Sequence, residues 1–479
     1  MADDGVVLAL DLGTSSVRAL VTDDRGRALP GIEARRPTRL RVDDSGRAEL
    51  DPGEMTDAVV DCIDELHTAG HLDAVARVAT SCLWHAVMGL DEAGDPVTPL
   101  FTWADARASV LVPDLRERAD TGALHQRTGS HLHALYWTAK IPWLIHERGT
   151  RPARFAGLAE HLTARLLDDG STSLSMASGT GLLDLAACDW DAAALEIAGV
   201  EPGQLPPIAG SDWRGKLTAD LGRRWPALAG AVWTAPLGDG AAANLGAGCH
   251  SPERAAVTIG TSAAIRVVGG APDAPLDRRL WRYRVDAERV VTGLALSGGG
   301  NLFAWARDTL ALPDDLEKAL EAVRPGANGV MALPYHAGAR PPLDLPGGSG
   351  VVAGLSLASS PVEVLAGLLE SVCFGLAEGD DALRAGLGQT PEVVATGGAL
   401  LASGWWQRTL AAVLGRPLAL LEARELSAEG AAVSALGIDA QPARVGTVEA
   451  DEERVTAARA ARERQAGLAG RLGWTTAGR

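Results

Sequence analysis

Short apolar runs broken by glycine and small polar residues open the chain. Val6-Val7-Leu8-Ala9-Leu10 leads to a turn at Gly13, and Val17-Arg18-Ala19-Leu20-Val21 follows. Runs of this length with such boundaries predict a β-hairpin. A helix is predicted over 52–66, and a strand over 76–82 runs into Leu83-Trp84-His85. A second apolar strand over 86–90 ends in the turn Asp91-Glu92-Ala93-Gly94-Asp95-Pro96. Helical periodicity recurs over 135–146 and 158–167. The hairpin pattern returns mid-chain as strands over 255–259 and 264–268 around Gly260-Thr261-Ser262. Gly13-Thr14-Ser15 and Gly260-Thr261-Ser262 stand about half a chain apart, which suggests a duplicated domain and not a solenoid of roughly 20–50-residue repeats. Two lobes are therefore expected, 1–247 and 248–479. A strand over 392–395 passes through Thr396-Gly397-Gly398-Ala399-Leu400 to a helix over 404–414, and 452–472 reads as a surface helix.

Composition narrows the class. A chain of 479 residues exceeds what one hydrophobic core usually supports, and 47% hydrophobic with 22% charged residues is ordinary for a soluble globular protein. The acidic start and the lack of a run of 18 or more uncharged apolar residues predict neither a secretory signal nor a membrane span. Five scattered cysteines without a C-x-x-C pair fit reduced thiols in a cytoplasm. A net charge of −17 disfavours nucleic acid as a partner. An anionic ligand must then be met by local donors and a metal ion, not by the global field.

Several residues could carry chemistry. Asp11 ends a buried strand beside the exposed amides of Gly13, Thr14 and Ser15, a setting for an anion and for Mg²⁺ held through water. An Asp capping its own turn is the alternative, and the repeat at Gly260 favours the phosphate reading. Asp239, in Leu237-Gly238-Asp239-Gly240, could take the proton of an attacking hydroxyl, with glycines that let backbone approach a ligand. By spacing alone it is more often a helix N-cap. Gly397-Gly398 at a strand-to-helix turn is a weak nucleotide signal, and Ser297-Gly298-Gly299-Gly300-Asn301 is either a flexible turn or a phosphate neighbour. There is no Walker loop and no Rossmann fingerprint. His67 and His71 lack a third metal ligand, and His131 and His133 could line a pocket. His85 beside Trp84 could present a sugar or be a satisfied core histidine.

Together these segments resemble the FGGY carbohydrate kinases of the actin-like, hexokinase-like and Hsp70-like superfamily. The markers run from Val6 to about Gly437: residues 11–18, 238–246, Gly260-Thr261-Ser262, Gly397-Gly398-Ala399, and Gly350-Val351-Val352-Ala353-Gly354-Leu355 followed by Glu363 and Glu370. Within the family the chain is most similar to gluconokinases, through the segments 81–91, 102–108 and 175–184; xylulokinases, which carry a Met-His pair where this chain has Trp84-His85, or another sugar or polyol kinase of the family are the runner-up. The resemblance implies an α/β fold of two actin-like (ribonuclease H-like) lobes with an interlobe cleft. It implies sugar held mainly by the first lobe and ATP by the second, with Asp239 as catalytic base and Asp11 organising Mg²⁺. ATP phosphates are expected against Gly13, Thr14, Ser15, Gly260, Thr261 and Gly300, with Gly397, Gly398 and Ala399 shaping the adenosine pocket. Trp84, His85 and Asp105 are the expected sugar contacts, and Arg107 and Arg127 are candidates for a sugar acid's carboxylate. The expected reaction is ATP-dependent phosphorylation of a small sugar or sugar acid, foremost D-gluconate, in the cytoplasm, with a homodimer as the candidate assembly. A catalytically silent sugar sensor on the same fold is the alternative of a different class, against which the retention of Asp11 and Asp239 argues. The chain departs from the family at Gly338-Ala339-Arg340, where Gly-Glu-Arg is common, at 346–350, and at Gly367.

Overall fold

A computed structural model describes residues 5–474 apart from 147, 150, 324, 325, 327, 328, 344, 346, 423 and 424. Residues 1–4, which carry most of the acidic start, and Pro346 thus lie outside the described residues. The strand Val6–Leu12 is apolar at almost every position and buried along nearly its whole length, as a central strand covered on both faces must be. It pairs antiparallel with Ser16–Thr22, which pairs antiparallel with Ala28–Pro37. On its other side it pairs in parallel with Val75–Cys82, which pairs in parallel with Val232–Thr234.

The second sheet repeats this plan. Arg254–Ile259 pairs antiparallel with Ala263–Val268, which pairs antiparallel with Val290–Leu296. Arg254–Ile259 also pairs in parallel with Glu392–Thr396, and that strand pairs in parallel with Leu418–Leu421. The repeat of Gly-Thr-Ser hairpins in the sequence is thus a repeat of whole sheets. Two main cores result, one around Leu8, Leu10, Val17 and Val78 and one around Val257, Ile265, Leu368 and Val372.

The two sheets are not packed apart from each other. The first core takes in Trp281, Tyr283 and Val433 from the second half of the chain. The helix Leu426–Leu436 crosses the helix Asp239–Gly246 so closely that a side-chain carbon on Gly430 would run into the Ala242 carbonyl. Only glycine permits that crossing. The edge strand Trp281–Arg284 is sewn to the first half by Arg282 N–H to Gly129 O (2.9 Å), Arg284 N–H to the Ser178 hydroxyl (2.9 Å) and the Tyr136–Tyr283 hydroxyl pair (2.6 Å).

Most element boundaries follow the periodicity, as with Leu158–Leu167 and Gly404–Leu414. Two begin late for a local reason. The helix expected from 135 starts at Trp137, because His133 Nδ1 and the His133 carbonyl hold the Leu135 and Tyr136 amides in a turn. The strand expected from 86 starts at Met88, because His85 takes a left-handed backbone with φ of 70°. All five cysteines are free, and among the described residues no helix is long and apolar enough to cross a membrane.

Candidate active site

Both Gly-Thr-Ser turns open onto one cavity of about 400 Å³. Thr14 and Ser15 line it from the first sheet, Gly260, Thr261 and Ser262 from the second. Each turn is closed by its own glycine: Gly13 N–H donates to Ser16 O at 3.1 Å and Gly260 N–H to Ser262 O at 3.0 Å. The 297–301 turn packs behind the second, with Gly300 N–H to Gly260 O at 2.7 Å and Asn301 N–H to Thr261 O at 3.1 Å. Gly397 approaches the Ile259 backbone with φ of 96°, so Gly397, Gly398 and Ala399 stand behind the Gly260 and Gly300 turns, outside the lining of this cavity.

Asp239 enters the cavity at the first turn of the helix Asp239–Gly246, just after Leu237–Gly238 pairs with the end of Val75–Cys82. Gly238 is its N-cap residue, and the Asp239 carboxylate accepts the Gly240 N–H at 2.7 Å. Of the two flanking glycines, Gly240 lines the cavity. Both also make room for the Trp84 indole, which a side chain on Gly238 would strike. Trp84 is 4% exposed and spends its N–H on Ser175 O at 2.9 Å, so it is chiefly the floor beneath Asp239.

Burial raises the Asp239 pKa, and the charges of Arg266 and Arg340 oppose that rise. Asp11 lies near enough to feel it. Burial first, and then the Asp239 charge, push Asp11 up to about 6, against the pull of Ser81 and Arg18. Asp11 is paired in register with Ser81 on one side and Arg18 on the other, which fixes it at the strand end. Asp11 stands just outside the lining of the cavity, whereas Asp239 and the hydroxyls of Thr14 and Thr261 lie in it; carboxylates so placed suit Mg²⁺ held through water, since that ion takes one or two carboxylates plus phosphate and water oxygens. No cluster of three His, Cys, Asp or Glu exists among the described residues, so an all-protein metal cage is not what this site offers.

His85 is held by strain and by one short contact. Its left-handed backbone is costly for a non-glycine residue, and its Nδ1 stands 2.5 Å from Gly179 O. Its ring meets Tyr136 edge-on at 5.2 Å and Tyr283 at 5.5 Å between centroids. Desolvation lowers its pKa to about 3, so the imidazole is neutral. With Nδ1–H directed at a carbonyl, Nε2 is left as an acceptor.

Three expected contacts go elsewhere. Asp105 is 2% exposed and turned away from the cavity, accepting the Ala48 N–H at 3.0 Å and pairing with Arg107 at 2.5 Å. Arg107 also pairs with Glu49 at 2.6 Å, and Arg127 pairs with Asp191 at 2.6 Å. These arginines have their carboxylates already. His131 stacks on His125 at 4.2 Å and lies outside the cavity, as does His133.

The cavity also collects residues that pattern reading missed: Trp103, Tyr136, Arg266, Trp281, Tyr283 and Arg340. Trp281 and Tyr283 stack at 4.5 Å and form a wall supplied by the second half of the chain. They alternate along one strand between arginines, the one signal that could have marked them. Arg266 and Arg340 carry buried Nε atoms without a hydrogen-bond partner.

Models of the FGGY family of carbohydrate kinases match the chain twice, the N-terminal domain over residues 6–246 and the C-terminal domain over 255–436. A gluconokinase of Bacillus subtilis is 28% identical over 454 residues, covering 90% of this chain and 87% of its own. A glycerol kinase of Gloeobacter violaceus is 30% identical over 455 residues, covering 91% and 88%. Among solved structures, a ligand-bound xylulose kinase from Lactobacillus acidophilus superposes with a TM-score of 0.88 at 23% identity, over 98% of this chain and 99% of its own. The two-lobed actin-like plan, the twin hairpins and both domain matches agree: the chain belongs to the FGGY family of carbohydrate kinases, enzymes that use ATP to phosphorylate small carbohydrates.

Proposed function

We propose that this chain transfers the γ-phosphoryl group of ATP to a primary hydroxyl of D-gluconate, giving 6-phosphogluconate in the cytoplasm. The observation that carries the reading is the meeting of Thr14, Ser15, Gly260, Thr261 and the half-buried Asp239 in one cavity. The similarity to the Bacillus gluconokinase supports gluconate as the acceptor. In this reading residues 1–247 hold the sugar and residues 248–479 hold ATP. The twin turns receive the phosphates, with Gly300 bracing the second, while Gly397, Gly398 and Ala399 border the adenosine. Asp11 would hold Mg²⁺, whose charge neutralises phosphate oxygens when bound.

Asp239 is the base in this reading. Its raised pKa brings it nearer the working pH, where a general base is most effective. His85 Nε2 accepts a sugar hydroxyl, and the Trp281–Tyr283 wall packs on the sugar's carbon face. The chemistry asks little covalent work of the protein. Positioning and exclusion of water dominate, and lobe closure would supply both. The test is Asp239→Asn. ATP binding and the melting curve should be retained while sugar phosphorylation falls at least about 100-fold. Near-wild-type turnover in that variant ends the assignment.

A further inference from the structure

We propose that Arg266 is a catalytic residue of the transfer, its guanidinium holding the oxygens of the phosphoryl group as that group passes from ATP to the acceptor. The proposal rests on the kinase reading above and adds a cation that neither the twin turns nor Asp239 supplies.

Arg266 stands on the strand Ala263–Val268, just after the second Gly-Thr-Ser turn, and lines the cavity. Its neighbour across the sheet is Gly293, where a side-chain carbon would come within 3.0 Å of the Arg266 Cγ. Glycine there clears the lane along which the side chain crosses to the first half of the chain. At the far end, a carbon on Gly240 would lie 3.1 Å from Nε, so the guanidinium group ends beside the residue that follows Asp239. Asp239 and Arg266 each feel the other's charge, yet among the described residues no salt bridge joins them.

Other buried arginines also lack a carboxylate, but they do not lack an acceptor. Arg282 donates to the Thr292 hydroxyl at 3.1 Å and to Ala274 O at 2.7 Å. Arg284 donates to Leu185 O and to Ala287 O, each at 2.8 Å. The Arg266 Nε is buried without a partner, and among the described residues no acceptor takes its other N–H groups. Arg340 belongs to the same cluster, since it feels both Arg266 and Asp239. A desolvated guanidinium group without an acceptor carries a cost that a bound anion offsets.

That anion could be the transferring phosphoryl group or a carboxylate on the acceptor. Placement favours the phosphoryl group. Asp239 takes the proton of the attacking hydroxyl, so the γ-phosphorus must lie next to that hydroxyl and near Arg266. The carboxylate of D-gluconate is at the opposite end of its carbon chain. In the step, the acceptor oxygen bonds to the γ-phosphorus, and the bond from that phosphorus to the β–γ bridging oxygen breaks. Its electron pair leaves on ADP, and the acceptor's proton passes to Asp239. The peripheral oxygens carry the charge throughout, and a planar fork of donors already in place stabilises it.

The experiment follows coupled ADP release in Arg266→Gln and Arg266→Lys with whichever acceptor wild type turns over fastest. In Arg266→Gln, kcat should fall about 100-fold or more, with KM for the acceptor and for ATP within a few-fold of wild type. Binding of ADP with aluminium fluoride and acceptor, a mimic of the transferring group, should weaken by a similar factor while ATP binding holds. Arg266→Lys should recover part of kcat. Wild-type kcat in Arg266→Gln overturns the proposal alone. A rise in KM confined to acidic acceptors assigns Arg266 to the acceptor's carboxylate and also overturns it. A loss present at about pH 7 that vanishes at about pH 9 makes Arg266 only the charge that keeps Asp239 ionised, and overturns it again. If Arg266→Gln does not fold, Arg266→Lys is read in its place: kcat lowered about 10-fold at unchanged KM supports the proposal, and wild-type kcat overturns it. If neither variant folds, Arg266 is structural and the proposal falls. A wild type that phosphorylates no acceptor overturns the kinase reading itself, and this proposal with it.

Discussion

Asp239 and Asp11 are neighbouring desolvated acids, and the Asp239 charge makes Asp11 harder to ionise. Removing the Asp239 charge should lower the pKa of Asp11, because one like charge is gone. The Asp11 carboxyl, followed by NMR, should therefore titrate near 6 in wild type and at lower pH in Asp239→Asn. A midpoint that moves up, or stays, contradicts the coupling. The same burial has a signature in stability. The Asp11 carboxyl titrates near 6 in the fold against 3.8 unperturbed, so between these values the folded state binds more protons than the unfolded. Stability must then fall as pH rises through that window. Asp11→Asn removes the charge that burial opposes. Thermal melts without ligand should show the variant gaining on wild type at pH 8 and gaining less at pH 4.5.

The elements explain where these acids stand. The helix Asp239–Gly246 presents Asp239 at its start and is pinned near its end by the Gly430 crossing. Gly430→Val should force the two helices apart. It should cost about 1–3 kcal/mol or more in a denaturant melt, and it should lower kcat by displacing Asp239. A variant as stable and as active as wild type would show that the crossing does not position the acid. Much of this level was legible in the sequence. The twin hairpins, the helices at 158–167 and 404–414 and the position of Asp239 all follow from apolar period and turn residues, which act locally. The glycines around Asp239 were legible as close approaches, but not what approaches them, since Trp84 is distant in the chain. Asp105, Arg107 and Arg127 find partners away from the cavity for the same reason. Their partners Ala48, Glu49 and Asp191 are set by tertiary contacts that local spacing does not encode. Arg340 drew notice only for the Ala339 beside it, because nothing local announces that it lies over Trp103 with its Nε buried and unpartnered.

At the scale of the whole molecule, the aromatic end of the cavity is built by both halves of the chain. The Tyr136–Tyr283 hydroxyl pair joins them at 2.6 Å, buried between Trp84, His85 and Trp281. Removing one hydroxyl leaves the other buried and unpaired, a cost of about 1–3 kcal/mol. Tyr136→Phe and Tyr283→Phe should each raise KM for the sugar, and the double variant should be less impaired than the sum of the two. Additive effects would mean that the pair does not couple the halves. The central claim, an ATP-dependent sugar-acid kinase, is tested most directly by coupled ADP release from the wild-type enzyme with D-gluconate, D-xylulose and glycerol. The account predicts that D-gluconate gives the highest kcat/KM of the three and that Asp239→Asn abolishes that release. Preferential turnover of D-xylulose or glycerol, or no release with any acceptor, would contradict it.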